Sequence, residues 1–257
     1  MTLMRVLVAD IGNSQAKVVR CDLARMQSGA GLATSPQPLF TVETPADSAA
    51  GDNLARQLTA ALDEQSAGAA VLVSVVPNVT RALTSAVPNM VAVDHTVPLP
   101  FSLAIEEPAA VGADRYCNLA AAVASGWPDA LVVDLGTATT FDLLVAGEFV
   151  GGLIAPGMAF AAEQLGHLAA RLQPVPFAPC PLEVGTSTAA AMRAGAYHVG
   201  IGGVATVTAA LLERYGARPV MITGGLGEFL DSPEWRHDPD WTLRGAVELA
   251  IPLLREM

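Results

Sequence analysis

The apolar positions fall first into short β-branched runs, then into a helical spacing, and the same order restarts past the middle of the chain. Residues 5–9 and 16–22 read as two strands joined by a tight turn, and residues 36–42 as a third strand after a loop rich in Gly, Ser and Pro. Over residues 53–65, Leu54, Leu58 and Leu62 recur every four positions, which is one stripe of a helix. Residues 70–76 form a run rich in β-branched residues, broken by Ser74 alone and ended by Pro77, the pattern of a strand covered on both faces, and a short helix follows over 80–87. A polar stretch at 97–108 then leads into a helix over 114–124, closed by Gly126.

The second half predicts strands at 130–134, 139–145 and 148–154, helices near 159–170 and 187–215, a strand at 219–223 and a closing helix after Thr242. Strands come first in each half, and helices alternate with strands afterwards. The expected organisation is an N-terminal half over 1–112 and a C-terminal half over 113–257, with no low-complexity linker between them.

Two turns echo each other across that boundary. Asp10-Ile11-Gly12-Asn13-Ser14 and Asp134-Leu135-Gly136-Thr137-Ala138-Thr139-Thr140 each follow a β-branched strand and lead into another apolar stretch. A carboxylate where a strand ends, with glycine two residues on, lets turn amides and hydroxyls approach phosphate oxygens while the acid holds a metal. Such paired hairpins resemble those of the actin, hexokinase and Hsp70 class of ATP-using folds.

Composition narrows the classes. With 257 residues and 52% hydrophobic content, the chain can bury one large core or two of half that size. No continuous apolar run reaches the roughly 18–20 residues that span a bilayer, and the run at 3–9 is too short for a signal peptide. A cytoplasmic protein with no membrane partner is expected. Cys21, Cys117 and Cys180 are odd in number and widely spaced, which fits a reducing compartment and packing roles. The net charge of −11, with 14 Lys and Arg scattered singly, gives no footprint for nucleic acid. An acidic chain that binds a nucleotide must gather cations, amides and metal in one place, and Lys17, Arg115 and the two turns are the candidates.

Gly112-Ala113-Asp114-Arg115 opens the helix at the boundary. Asp114 there is either a first-turn acid favoured by the helix dipole or a group that orients a substrate hydroxyl, with Arg115 gripping an anion; its place between the two turns favours the second. Gly151-Gly152-Leu153-Ile154-Ala155-Pro156-Gly157 is either a strand among turns or backbone brought close to a ligand or to a neighbouring segment. In Gly185-Thr186-Ser187-Thr188 the hydroxyls are caps or contacts to a carboxylate, and Thr223-Gly224-Gly225 is a plain turn or a nucleotide rest. His95, His167, His198 and His237 lack metal-ligand spacing, and no Walker A loop, protein-kinase signature or nucleophile elbow is present.

In their order these segments, with Ser74-Val75-Val76-Pro77, resemble the type III pantothenate kinases nearly end to end. The resemblance implies a duplicated actin and hexokinase-like (ribonuclease H-like) α/β fold, two similar half-domains with a cleft between them. It implies phosphorylation of pantothenate in the first step of coenzyme A synthesis, with ATP held by Asp10, Ile11, Gly12, Asn13, Ser14, Gln15, Ala16, Lys17 and Thr137. Asp114 is then the proton acceptor, Gly112, Ala113, Asp114, Arg115 and Thr188 hold pantothenate, Asp134 lies at a monovalent cation (potassium or ammonium), and Asp10 organises magnesium, directly or through water. Family members are homodimers with a shared site, so Thr188 is expected to reach the partner's substrate.

One segment departs from the family. Where members carry Tyr-x-Asn-Pro, with the Tyr a substrate contact, this chain has Ile105-Glu106-Glu107-Pro108. A catalytically silent regulatory nucleotide-binding member, and a kinase of the same fold for another hydroxylated acid, are the alternative readings.

Overall fold

The structure is a computed structural model that describes residues 5–22, 36–168, 172–216, 218–230 and 232–255. By its contacts the chain divides into two compact units, one of residues 1–128, 144–150 and 240–257, the other of 129–143 and 151–239. This differs from a cut at 112/113, because the helix that opens at Ala113 and the last helix of the chain both pack within the first unit.

The first unit is built on a five-stranded sheet. Strands β1 (Arg5–Ile11), β2 (Gln15–Asp22) and β3 (Gln37–Glu43) are followed by helix α1 (Ser48–Glu64), β4 (Ala69–Ser74), α2 (Pro77–Ala86) and β5 (Met90–Ala92), in the sheet order β3-β2-β1-β4-β5. β1 is antiparallel to β2 and parallel to β4, and Val6, Leu7, Val8 and Ala9 are all buried, as a central strand covered on both faces requires. Leu54, Leu58 and Leu62 of α1 pack with Val79 and Leu83 of α2 onto Leu7, Ile11, Val18 and Leu72. Each such side chain contributes about 1.5–3 kcal/mol by leaving water. α1 starts at Asp47, whose carboxylate accepts from Ala50 N at 2.8 Å, and α2 starts with Pro77 in its first turn, where a missing N–H costs nothing.

A short β6 (Ser102–Leu103) and a 3-10 turn at Pro108–Ala110 lead to α3 (Ala113–Ala124). The chain returns to this unit at the end as α6 (Trp241–Leu254), which lies along α3. Their contact is close because position 245 is glycine: a Cβ there would fall 1.7 Å from Cys117 O.

The second sheet takes the order β11-β10-β7-β8-β9-β6, with β7 (Ala130–Leu135), β8 (Ala138–Val145), β9 (Glu148–Pro156), β10 (Val220–Thr223) and β11 (Arg236–His237). β8 and β9 are joined by Ala146 and Gly147, both with positive φ (51° and 75°), the demand of a two-residue hairpin turn. That hairpin tip belongs with the first unit, where β9 pairs with β6 at Glu148 and Phe149. In the second unit β7 pairs in parallel with β10, and α4 (Met158–Leu168) packs on α5 (Thr188–Tyr215).

The predicted elements are all present with ends moved by a few residues, while the end of the helix expected up to residue 170 lies outside the described residues. β5, β6 and β11 are additions of only two or three residues. α5, at 28 residues, is long and apolar enough by length and composition to cross a membrane, although polar and charged residues interrupt its apolar positions. Its alanines, with Val, Ile and Leu, keep mean hydropathy high without giving a continuous apolar run.

Candidate active site

Asp10 sits near the end of β1 and is paired in register with Lys17 on β2. Between them the turn is closed by Gly12 N donating to Gln15 O at 2.9 Å, and it is braced from outside by Thr44, whose hydroxyl donates to Gly12 O at 2.6 Å and whose N–H donates to Ser14 O at 3.1 Å. Asn13, Ser14 and Gln15 are exposed at the tip, whereas Ile11 and Ala16 turn their side chains into the core. Only backbone groups of those two residues are left to face a ligand. Thr44 was not legible as a site residue, since an isolated Thr after a strand carries no motif.

In the same unit, α3 begins with Gly112 at its cap position. The Asp114 carboxylate folds back over it: a Cβ on residue 112 would meet Asp114 Oδ1 at 2.4 Å, and the same oxygen accepts from Arg115 N at 2.8 Å. Glycine is therefore required for the carboxylate to take this position. Burial raises the pKa of Asp114, with the Arg115 N–H and guanidinium opposing it. Asp10 is pushed from 3.8 up to about 7, chiefly by burial and then by the Asp114 charge, against the pull of Lys17. These two carboxyls thus feel each other, and the buried Cys117 thiol, raised well above its ordinary value by burial and then by Asp10 and Asp114, lies in the same environment.

Arg115 places its guanidinium over the Phe149 ring, 5.5 Å from the centroid. Tyr116 is buried, stacks on Phe101 at 6.5 Å, and donates its hydroxyl to Pro108 O at 2.7 Å. The segment Ile105-Glu106-Glu107-Pro108 is thereby tied to α3 from behind, while Glu106 and Glu107 stay exposed.

In the second unit Asp134 pairs in register with Thr223, and Gly224, at φ 85°, lies so close that a Cβ would meet Asp134 Oδ1 at 2.5 Å. Gly157 covers the other side of the turn: its N–H donates to Thr137 O at 3.0 Å, and a Cβ there would stand 2.3 Å from Gly136 O. Both glycine-rich segments left open by the sequence are thus backbone brought against the second Asp-x-Gly turn. The hydroxyls of Thr139 and Thr223 are buried without a protein partner. At the start of α5 the capping hydroxyl is that of Ser187, which accepts from Ala190 N at 3.2 Å, and Thr188 is the exposed first residue of the helix.

Among the described residues no group of three or more His, Cys, Asp or Glu side chains could hold a metal ion. Asp10, whose ionised form burial disfavours and a bound cation would favour, suits magnesium, which uses one or two carboxylates and takes its other ligands from water and phosphate. Asp134 brings a carboxylate oxygen to the second turn, a ligand of the kind a hard cation takes.

A strand-turn-strand bearing Asp-x-Gly in each of two sheets, with an ion-paired lysine beside the first and a half-buried carboxylate at a helix start, belongs to an α/β fold that hexokinase-like proteins share. The ROK hexokinase of Thermus thermophilus has this fold, at TM-score 0.52 and 16% identity over 98% of this chain and all of that one. A Campylobacter jejuni protein assigned to the Baf family of transcriptional activators is also similar, at TM-score 0.59 and 21% identity over 97% of this chain and 99% of that one. The sequence model of type III pantothenate kinases matches residues 6–210, and the chain belongs to that family. A type III pantothenate kinase of Acidiphilium cryptum is 38% identical over 60% of this chain and 62% of its own length, and one of Moorella thermoacetica is 36% identical over 72% and 76%.

Proposed function

We propose that the chain transfers the γ-phosphoryl group of ATP to the primary hydroxyl of pantothenate, the first step of coenzyme A synthesis. The observation that carries the reading is the pair Asp10 and Asp114, coupled in one buried environment, one on a phosphate turn and the other on Gly112-Ala113-Asp114-Arg115. Family membership supports the substrates.

The turn from Asp10 to Lys17 presents its amides, exposed polar side chains and ammonium to the ATP phosphates, and Thr137 does so from the second turn. Magnesium, when bound at Asp10, neutralises phosphate charge. Asp114 orients the acceptor hydroxyl: as its oxygen bonds to the γ-phosphorus and the bond to the ADP oxygen breaks, the proton passes to the carboxylate. A carboxyl raised by burial holds that proton better than a solvated one. Gly112, Ala113 and Arg115 grip pantothenate, with Thr188 supplied by a partner, and Asp134 holds potassium or ammonium. The wider frame for these roles is a cytoplasmic homodimer whose protomers have two similar half-domains.

α5 supports the dimer. Of its 28 residues only Val204 and Thr208 are buried, and Thr188, Ala191, Gly195, Val199, Gly202, Thr206 and Ala209 form an exposed stripe at spacings of three or four. A second copy of the helix fits such a stripe closely.

The Ile105-Glu106-Glu107-Pro108 departure favours a second reading, a kinase for another hydroxylated acid. A coupled ADP-release assay with pantothenate and a panel of hydroxy acids, with and without potassium, tests both. Turnover with pantothenate supports the first reading and excludes a silent regulatory member; turnover only with another acid replaces it.

A further inference from the structure

The first residues of α6 are tied to both halves of the first-unit site. Lys17 Nζ donates to Asp240 Oδ1 at 3.0 Å across 223 residues of chain, with the two side chains 36% and 22% exposed. Asp240 occupies the cap position of α6, where an aspartate ordinarily accepts from the first-turn amides, yet its side chain makes no cap bond. The carboxylate accepts from the lysine. The next two residues fasten the same helix end to α3: Trp241 Nε1 donates to Asn118 O at 2.9 Å and Thr242 Oγ1 donates to Asn118 Oδ1 at 2.8 Å, both buried. Asn118 stands one helical turn after Asp114, so the Asp240 carboxylate is held on a rigid support.

We propose that Asp240 is a positioning residue for nucleotide binding, holding the Lys17 ammonium at the phosphate turn so that it meets a polyphosphate without first being ordered. The proposal rests on the kinase reading and deepens it. A lysine carries four rotatable bonds, and one already held in place loses less freedom when an anion arrives. Asp240 accepts one of three ammonium protons and leaves the others for phosphate. The family motif ends at Lys17 and gives no partner for it; the partner is supplied by the far end of the chain.

The test compares wild type with Asp240→Ala, Asp240→Asn, Asp240→Glu, Lys17→Met and the double variant Lys17→Met/Asp240→Ala. Steady-state kinetics are combined with calorimetric titration of magnesium-ADP and with thermal melts. Asp240→Ala is expected to raise KM for ATP about three- to fivefold, the scale of a partly exposed ion pair, with a smaller change in kcat and none in KM for pantothenate. Asp240→Glu restores the wild-type KM, and the double variant is no worse than Lys17→Met alone. Should Asp240→Ala fold poorly, Asp240→Asn, which keeps the shape but removes the charge, is expected to raise KM for ATP in the same direction by a smaller factor. An unchanged or lowered KM for ATP in folded Asp240→Ala and Asp240→Asn, or additive losses in the double variant, overturns the proposal. If wild type turns over no ATP with pantothenate, the pantothenate reading falls, and magnesium-ADP affinity still decides the role of Asp240.

Discussion

Asp114 and Asp10 share a buried environment but are asked for different chemistry. Asp114→Asn keeps the shape that Gly112 accommodates and still accepts from Arg115 N through its amide oxygen, so the helix start should fold as before. It cannot take a proton, and kcat is expected to fall by about 10²–10⁴ with ATP affinity retained. Near wild-type kcat in this variant would refute the proton-acceptor role. Asp10 makes a prediction about stability. The folded chain holds the Asp10 proton up to about pH 7, while the unfolded chain releases it near 3.8. Folded molecules therefore bind more protons inside that window, and the contribution is full below about pH 4 and lost as pH rises through 7. Urea melts of the apoprotein from pH 4.5 to 8 should show stability falling with pH, with a shallower fall in Asp10→Asn; identical slopes in the two proteins would show that Asp10 does not titrate there.

At the scale of elements, two close approaches set the geometry. α6 lies against α3 because residue 245 has no side chain, and any Cβ there would collide with Cys117 O. Gly245→Ala must push the helices apart and is expected to cost about 1–3 kcal/mol or more, read as a lower urea midpoint. Since α3 carries Asp114 and α6 carries Asp240, kcat and KM for ATP should both worsen. A variant as stable and active as wild type would mean that the two helices separate freely. In the second unit, Gly224→Ala sets a methyl against Asp134 Oδ1 and requires a positive φ of a non-glycine residue. If Asp134 holds a monovalent cation, this variant needs more potassium for half-maximal activity while its KM for ATP stays put. Wild-type potassium dependence in Gly224→Ala would move the cation site elsewhere.

For the whole molecule, the exposed stripe on α5 is the feature that the single chain leaves unexplained. Val199 is 75% exposed within it, so Val199→Arg should leave the fold of the protomer intact. A buried, unpaired charge on both sides of a two-fold helix contact is expected to give monomers by light scattering. If the partner completes the site through Thr188, those monomers bind ATP but do not phosphorylate pantothenate. A fully active Val199→Arg monomer would rule out the shared site.

The sequence alone determined the local chemistry. Asp10, Gly12, Gly112, Asp114, Asp134 and Gly136 were legible because a strand end, a turn glycine and a helix start each have a short-range signature, and contiguous residues carry all of it. The runs of β-branched residues and the Leu54, Leu58, Leu62 stripe likewise placed the main strands and α1, since those periods follow from backbone geometry. Short strands such as β5 and β11 escaped because two or three residues hold no period, and pairing with a neighbour is what makes them strands. Only tertiary structure decided that the chain closes its first unit with its last helix, that Thr44 braces the first turn, and that Gly157 and Gly224 press on the second. The same holds for Lys17, whose carboxylate partner lies 223 residues away. Contacts of that kind join distant segments through packing and ion pairing, and no window of neighbouring residues contains both partners.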